Sequence, residues 1–280
     1  MKNITIGFIG QGYVGKNYAD DFEQRGHAVI RYSLEEPHRT NKERIKDCDM
    51  VFVAVPTPTT SDRFDASIVE NALGLVGTGK IAIIKSTVLP GTTKRLQELF
   101  PDKITIFSPE FLSEATAVQD VQRPFMNIVG IPVQDERYKD AAHNVLALLP
   151  KGGFENICDS TEAELIKYAH NTAGYVQIIL FNLMYDLSVK HGVEWSPIEQ
   201  AIKANPYIPN RYAQPLHKSG RGAGGNCFIK DFAAFRSHFE KVLPDDPGVA
   251  FLKAAEQKNA DLLTQSGKNL DILKKVYGRN

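Results

Sequence analysis

An apolar run, Ile4-Thr5-Ile6-Gly7-Phe8-Ile9, passes directly into Gly10-Gln11-Gly12-Tyr13-Val14-Gly15 and then into a stretch of helical periodicity that reaches about Arg25. Strand, tight turn and helix in that order narrow the N-terminal half to an α/β fold. A GxGxxG spacing alone is a weak signal, and a plain glycine turn in another α/β protein carries it too. Between a strand and a helix it reads as the phosphate-binding turn of a dinucleotide fold. The glycines there admit a pyrophosphate to the helix N-terminus, where unpaired N–H groups and the helix dipole favour an anion. Gly10, Gln11, Gly12, Tyr13, Val14 and Gly15 are the first cofactor-binding candidates.

Further apolar runs at 27–32, 50–55, 80–86, 104–107 and 126–130 alternate with helical stretches, which predicts a Rossmann-like, doubly wound parallel sheet. Ligands of such sheets lie beyond the carboxyl ends of the strands. Three polar or proline-rich segments fall there: 56–59 with Pro56 and Thr57, 86–93 with Ser86 and Thr87, and 108–115. At the end of the second strand, where an acidic residue usually binds the adenosine ribose, stands Ser33. Glu35 or Glu36 reaching the ribose fits NAD, whereas Ser33 with His38 and Arg39 fits the extra phosphate of NADP. NAD is the expected cofactor and NADP stays open.

The second half reads as helical. Residues 160–191 hold no Pro and a single Gly, and Leu165, Ile166, Ala169, Val176, Ile179, Leu180, Leu183, Met184 and Leu187 recur at helical spacing. One long connecting helix is predicted, capped by Ser160 or Thr161 with Glu164 completing a capping box. It is too long for so small a domain to cover, so a homodimer contact through 160–191 is expected. Lys167 and Asn171, four apart, share one of its faces. More helix is predicted over 197–204, 231–241 and 249–275. The chain thus divides into a dinucleotide-binding domain, 1–158, and an all-helical substrate and dimerisation domain, 159–280.

Residues 220–231, Gly-Arg-Gly-Ala-Gly-Gly-Asn-Cys-Phe-Ile-Lys-Asp, form a glycine-rich loop ending in a cysteine and a Lys-Asp pair at a predicted helix start. Glycines let backbone amides approach a ligand, and the positive end of a helix favours a thiolate. Cys227 reads as a nucleophile, with Asp231 one turn on to move protons or orient water. The same segment would also suit a buried cysteine beside an ordinary helix cap.

Balanced charge, with 33 Lys plus Arg against 33 Asp plus Glu, argues against a nucleic-acid or anionic-membrane surface. Cys48, Cys158 and Cys227 are odd in number and widely spaced, which suits neither a disulfide framework nor a metal site and points to a reducing cytoplasm. No apolar run approaches the ~20 residues of a membrane span, and the N-terminus enters a strand without a leader.

Taken in order, Gly10 to Gly15, Pro56-Thr57-Pro58, Lys85-Ser86-Thr87-Val88, Ser108-Pro109-Glu110-Phe111-Leu112, Glu164 with Lys167 and Asn171, and Gly224-Gly225-Asn226-Cys227-Phe228-Ile229-Lys230-Asp231 resemble the UDP-glucose/GDP-mannose dehydrogenase family across nearly the whole chain. The resemblance implies NAD-dependent oxidation of a nucleotide-sugar alcohol to a carboxylate, UDP-glucose to UDP-glucuronate being the favoured case, through a thioester on Cys227. It assigns Lys167 and Asn171 to oxyanions and to substrate, Asp231 to water and proton relay, Glu110 to activating water, and Thr87 to the nicotinamide and water. Pro56, Thr57, Ser86 and Lys230 join the cofactor site by the same likeness. Phe111, Leu112, Ser113, Glu114 and Ala115, with Gly222, Ala223, Gly224 and Gly225, are expected to touch the sugar through backbone groups.

Departures bear on recognition of the base and diphosphate. The family continues into a second nucleotide-binding domain where this sequence stops, the loop after the second strand is short, Ala223 replaces a common aromatic, and Tyr207 replaces an arginine that usually enters the neighbouring subunit's site. Two other readings remain: a two-electron β-hydroxyacid-type alcohol dehydrogenase, which needs the lysine but no thiol, and a non-catalytic cofactor-binding subunit of a split enzyme.

Overall fold

The computed structural model describes residues 4–61 and 63–278. The expectation about a leader concerns residues 1–3, which lie outside the described residues. The chain forms two compact units, one of residues 1–58 and 65–167, the other of 59–64 and 168–280. The division falls inside a helix, whereas the sequence places the domain boundary at 158–159, where that helix begins.

The first unit is built on a seven-stranded sheet: β1 (Thr5–Ile9), β2 (Ala28–Tyr32), β3 (Met50–Val53), β4 (Ile81–Ile84), β5 (Ile104–Phe107), β6 (Met126–Ile131) and β7 (Phe154–Asp159). Their order is β2-β1-β3-β4-β5-β6-β7, so the chain reverses its winding direction at β1, and the glycine turn after β1 lies at that switch point. The central apolar runs form strands buried on both faces: Met50–Val53 and Ile104–Phe107 are buried at every position. Helices α1 (Tyr13–Gln24), α2 (Ser67–Leu73), α3 (Thr92–Leu99), α4 (Ala117–Gln122) and α5 (Glu136–Leu148) connect strands, with a 3₁₀ segment at Arg39–Asp47. Phe8, Phe22 and Phe52 lock α1 onto β1 and β3, with ring centroids 5.0–5.5 Å apart. Such pairs add about 1 kcal/mol each beyond area burial.

The sheet is not wholly parallel. β6 pairs with β5 in antiparallel fashion at Phe107 and Gly130, and β7 then runs parallel to β6. An apolar run reads the same in either direction, so the sequence carried no sign of the reversal. Its consequence is positional: the next strand starts at the edge where β5 ends, which keeps segment 108–125 there. β7 escaped the sequence reading because Phe-Glu-Asn-Ile-Cys-Asp is an edge strand without an apolar run or clean alternation.

Helix α6 (Ser160–Lys190) is continuous over 31 residues, about 46 Å at 1.5 Å per residue. Its capping differs from expectation. Asp159 accepts from Thr161 N, and the Glu162 carboxylate reaches back to Asp159 N, so the box is Asp159 with Glu162. Glu164 serves elsewhere, accepting from Gly91 N at 2.6 Å, Thr93 N at 2.8 Å and Thr93 Oγ1 at 2.6 Å. It thereby caps α3, whose own N-cap, Gly91, has no side chain.

The second unit packs α7 (Trp195–Ala204), α8 (Gly225–Val242), α9 (Gly248–Ser266) and α10 (Leu270–Tyr277) around the C-terminal part of α6. Tyr175 of α6 stacks on Phe232 of α8 at 3.8 Å, and Ile229, Ala233, Leu263, Leu273 and Val276 close a second cluster. Two boundaries are corrected. The helix expected from Asp231 begins at Gly225, because nothing after that glycine breaks a helix and Ile229 and Phe232 already belong to its buried face. The helix expected over 249–275 is two, divided where Gly267 and Asn269 adopt left-handed backbone. Along α6, Leu180, Leu183, Met184 and Leu187 remain 42–54% exposed in the single chain. Among the described residues no helix is long and apolar enough to cross a membrane.

Candidate functional site

The expected site residues fall into two groups, one in each unit. In the first unit the glycine turn is shaped by close backbone approach. Gly10 has φ +92°, its N–H donates to Tyr32 O at 2.9 Å, and a Cβ there would lie 2.2 Å from Ala54 O. A Cβ on Gly15 would lie 1.9 Å from Gly10 O, so the helix rests directly on the turn. Gly12, the N-cap of α1, is different: its backbone is extended and a Cβ would meet nothing within 4 Å. That open space above the first turn of α1 fits the pyrophosphate of a dinucleotide. Tyr13 is exposed and Val14 half-buried beside it, while Gln11 folds back onto Gly10 O.

Other expected cofactor residues have structural partners. The Ser86 hydroxyl accepts from Val55 N at 2.9 Å and donates to Val55 O at 2.7 Å, fixing the turn after β3 that carries exposed Pro56 and buried Thr57. Thr87 beside it is half-buried. Ser33 donates to Glu35 O, and the nearby Arg31 is engaged by Asp20 and Glu23.

At the carboxyl edge of β5 lies a buried polar cluster. Lys167 Nζ donates to Glu110 O at 2.6 Å and Glu110 Oε1 at 3.0 Å, and it lies 5.4 Å from the centroid of the Phe111 ring. Glu110 Oε2 accepts from Leu112 N. Burial pushes the Glu110 carboxyl up, but the Lys167 charge, the Leu112 amide and Lys85 outweigh it and hold the group below the usual carboxylate range. The Leu112 and Ser113 amides, expected to face the sugar, are directed to Glu110 and Asp120, while Glu114 and Ala115 are exposed.

Lys85 is the member of this cluster that the sequence reading left without a role. It is 3% exposed at the end of β4, donates to Ser108 Oγ at 3.1 Å, and lies 4.4 Å over the Tyr18 ring. Burial drives its ammonium down to about 7, Glu110 opposing the shift and Lys167 adding to it. Tyr18 is pushed upward by burial and by Glu110. The only sequence signal was a lysine continuing an apolar strand, Ile-Ala-Ile-Ile-Lys.

In the second unit Cys227 is exposed and stands third in α8, with Asp231 one turn on. Asp231 is 1% exposed, accepts from Asn171 Nδ2 at 2.7 Å, and is also paired with Lys230. Lys230, expected at the cofactor, is ion-paired with that carboxylate. The loop before α8 faces inward: Ala223 is fully buried, with its N–H and C=O both bonded to Asn259. Those groups do not offer themselves to a sugar, and Gly222 is buried too. A separate cavity of about 410 Å³, lined in part by Tyr185, Trp195, Glu199 and Gln214, holds none of the expected site residues. Among the described residues no cluster of His, Cys, Asp or Glu could hold a metal ion.

Comparison with known proteins identifies the family. Residues 37–147 match the NAD binding domain of the UDP-glucose/GDP-mannose dehydrogenase family, and residues 161–261 match its central domain. The chain is 28% identical to the UDP-glucose 6-dehydrogenase AglM of Haloferax volcanii over 82% of its length, and spans 64% of that relative. A UDP-glucose dehydrogenase structure from Pyrobaculum islandicum superposes with a TM-score of 0.79 at 26% identity, over 92% of this chain and 68% of that one. A 3-hydroxyisobutyrate dehydrogenase structure from Mycobacterium tuberculosis shares the fold, with a TM-score of 0.71 at 16% identity over 94% of each chain.

Two measurements follow from the first unit. Gly12→Ala has room for its methyl, so it should keep the thermal midpoint within about 2 °C while weakening NAD binding by calorimetry about tenfold or more; unchanged affinity would remove the turn from the cofactor site. An unfolded lysine titrates near ~10.4, far above folded Lys85 at about 7. Between those values the unfolded chain binds more protons, so stability should rise with pH, by at most about 1.4 kcal/mol per unit. Urea unfolding at pH 7, 8 and 9 should show this rise in the natural protein and not in Lys85→Met; equal slopes would refute it.

Proposed function

Because the chain belongs to the UDP-glucose/GDP-mannose dehydrogenase family, we propose that it oxidises the C6 alcohol of a nucleotide sugar, UDP-glucose foremost, to a carboxylate in two steps. The observation that carries the proposal is Cys227, exposed in the first turn of α8 one turn ahead of the buried, doubly paired Asp231. A thiol in that setting is suited to covalent catalysis, and a buried carboxylate beside it to proton handling.

NAD, when bound, accepts a hydride in each of the two oxidations. Gly10, Gly12 and Gly15 would hold its pyrophosphate at α1, and the Ser86-braced turn at 55–57 would border it. The first oxidation takes the alcohol to the aldehyde, a hydride leaving carbon and a proton leaving oxygen. The Cys227 sulfur then bonds to the aldehyde carbon, and the oxygen takes a proton to give a thiohemiacetal. Loss of a second hydride from that carbon, with the hydroxyl proton, leaves a thioester, which water cleaves to the carboxylate and the free thiol.

Lys167 and Asn171 are assigned to the oxygen as it gains negative charge. Both are held in place, Lys167 by Glu110 and Asn171 by Asp231, and an ionised or polarised donor fixed before reaction needs little reorganisation. Asp231 would relay protons between the thiol and water. Glu110, kept ionised by Lys167, would orient the hydrolytic water, with Thr87 beside it. In assembly, the Leu180, Leu183, Met184 and Leu187 stripe on α6 would be covered by the same helix of a second copy, since i, i+3, i+4, i+7 apolar exposure marks a helix-pairing face.

Excess NAD with limiting UDP-glucose should yield two NADH per sugar. Cys227→Ser should slow the complete reaction about a thousandfold or more. One NADH per sugar, unaffected by the serine, would point to a two-electron alcohol dehydrogenase; none with UDP-glucose or GDP-mannose, and with either cofactor, would sink the proposal for these substrates. For assembly, sedimentation should report a dimer that Leu183→Glu with Leu187→Glu converts to monomer; a natural protein that sediments as a monomer at micromolar concentration would refute the helix contact.

A further inference from the structure

The glycine-rich loop ahead of Cys227 is braced from α9 and from the turn between α9 and α10, all within the second unit. Arg221 N donates to Ser266 Oγ at 2.9 Å. Ala223 N donates to Asn259 Oδ1 at 2.7 Å, and Asn259 Nδ2 donates to Ala223 O at 3.1 Å. Lys268 Nζ, buried, donates to Gly220 O at 3.3 Å and Gly222 O at 2.9 Å. Gly225 N donates to Asn269 Oδ1 at 3.0 Å. Side chains thus satisfy the backbone of a segment too rich in glycine to hold one conformation by itself.

Asn269 is the informative member. It is the N-cap of α10, where an asparagine ordinarily accepts a hydrogen bond from the second or third amide of its own helix. It makes no such bond. It stands instead in the left-handed region, φ 54° and ψ 37°, at a cost of about 1 kcal/mol that asparagine bears better than most residues. From there its oxygen takes the N–H of Gly225, the first residue of α8. The N-cap of α8 is Gly224, which has no side chain to do this, and a Cβ at Gly224 would lie 2.3 Å from Asn269 Oδ1 and 2.8 Å from Lys268 Cε. Gly225 itself has φ +82°, so the helix starts from a conformation that needs an external hold. One helix start is therefore capped by the start of another.

We propose that the Lys268–Asn269 elbow is a positioning device for Cys227: by capping α8 in trans and anchoring 220–225, it sets where α8 begins and keeps the thiol on its first turn. The elbow touches no reacting atom. The inference rests on the reading of Cys227 as the nucleophile, and deepens it by naming what holds the nucleophile at the positive end of the helix.

Asn269→Gly separates positioning from bulk stability, because glycine relieves the left-handed strain while removing the acceptor. The readout is the pH midpoint for alkylation of Cys227 by iodoacetamide, resolved by peptide mass spectrometry on the full chain. A frayed α8 start loses the partial charge that favours thiolate, so the Cys227 midpoint should rise by about half a pH unit or more, with the Cys158 midpoint unchanged. A Cys227 profile superimposable on that of the natural protein would overturn the proposal. Should the variant not fold, amide exchange in the natural protein decides: Gly225 N–H should be protected like an interior amide, and exchange at the rate of an open loop would overturn the proposal equally. If instead the nucleophile reading fails, Cys227→Ser retains full NADH yield while the alkylation shift in Asn269→Gly persists, so the two failures are told apart.

Discussion

A carboxylate and an ammonium ion have been taken out of water together at the carboxyl edge of the sheet. Glu110 and Lys167 are each under a tenth exposed, and removing either partner of such a pair leaves an uncompensated buried charge that costs about 3–5 kcal/mol. The pair joins the first turns of α6 to the segment leaving β5. Glu164, one turn earlier on α6, adds three hydrogen bonds to the start of α3. Position and electrostatics are thus fixed by the same contacts: Lys167 keeps Glu110 ionised, Glu110 anchors α6, and Lys85 is held near neutrality by burial in their company. Desolvating charges in this way adds little to stability by itself, since the attraction of the pair is offset by the cost of taking both charges out of water.

Both units handle their loops in one manner. Backbone groups that a glycine-rich or proline-rich segment cannot pair internally are taken up by side chains from elsewhere: Ser86 on Val55, Asp120 on Ser113, Asn259 on Ala223, Asn269 on Gly225. Such loops hold one shape without regular secondary structure. The same economy restricts what they offer a ligand. The amides of Leu112, Ser113 and Ala223 are directed to Glu110, Asp120 and Asn259 within the protein. Gly12 stands apart, since space rather than a hydrogen bond distinguishes it.

Much of the first unit was legible because its signals are local. Apolar runs bounded by turn residues specify strands, and glycines between a strand and a helix specify the phosphate turn, whatever the remainder of the chain does. The Cys227 to Asp231 spacing likewise needed only that the segment be helical. Where a signal depended on direction or on a distant partner, it was silent or misleading. The reversal of β6 leaves no mark in an apolar run, and β7 is too polar to stand out. Glu164 resembled half of a capping box because the rule sees four neighbours and not Thr93. Lys85 looked like the end of a strand.

The sequence by itself determined the type and order of most elements, the family, and the residue types available for chemistry, because these follow from periodicity, turn residues and motif order along a few neighbouring positions. Tertiary structure decided which of those groups meet. Glu110 lies 57 residues from Lys167, Asn171 lies 60 from Asp231, and Glu164 lies 71 from Thr93. Burial, ionisation and the orientation of an amide all depend on such partners, and no local window contains them.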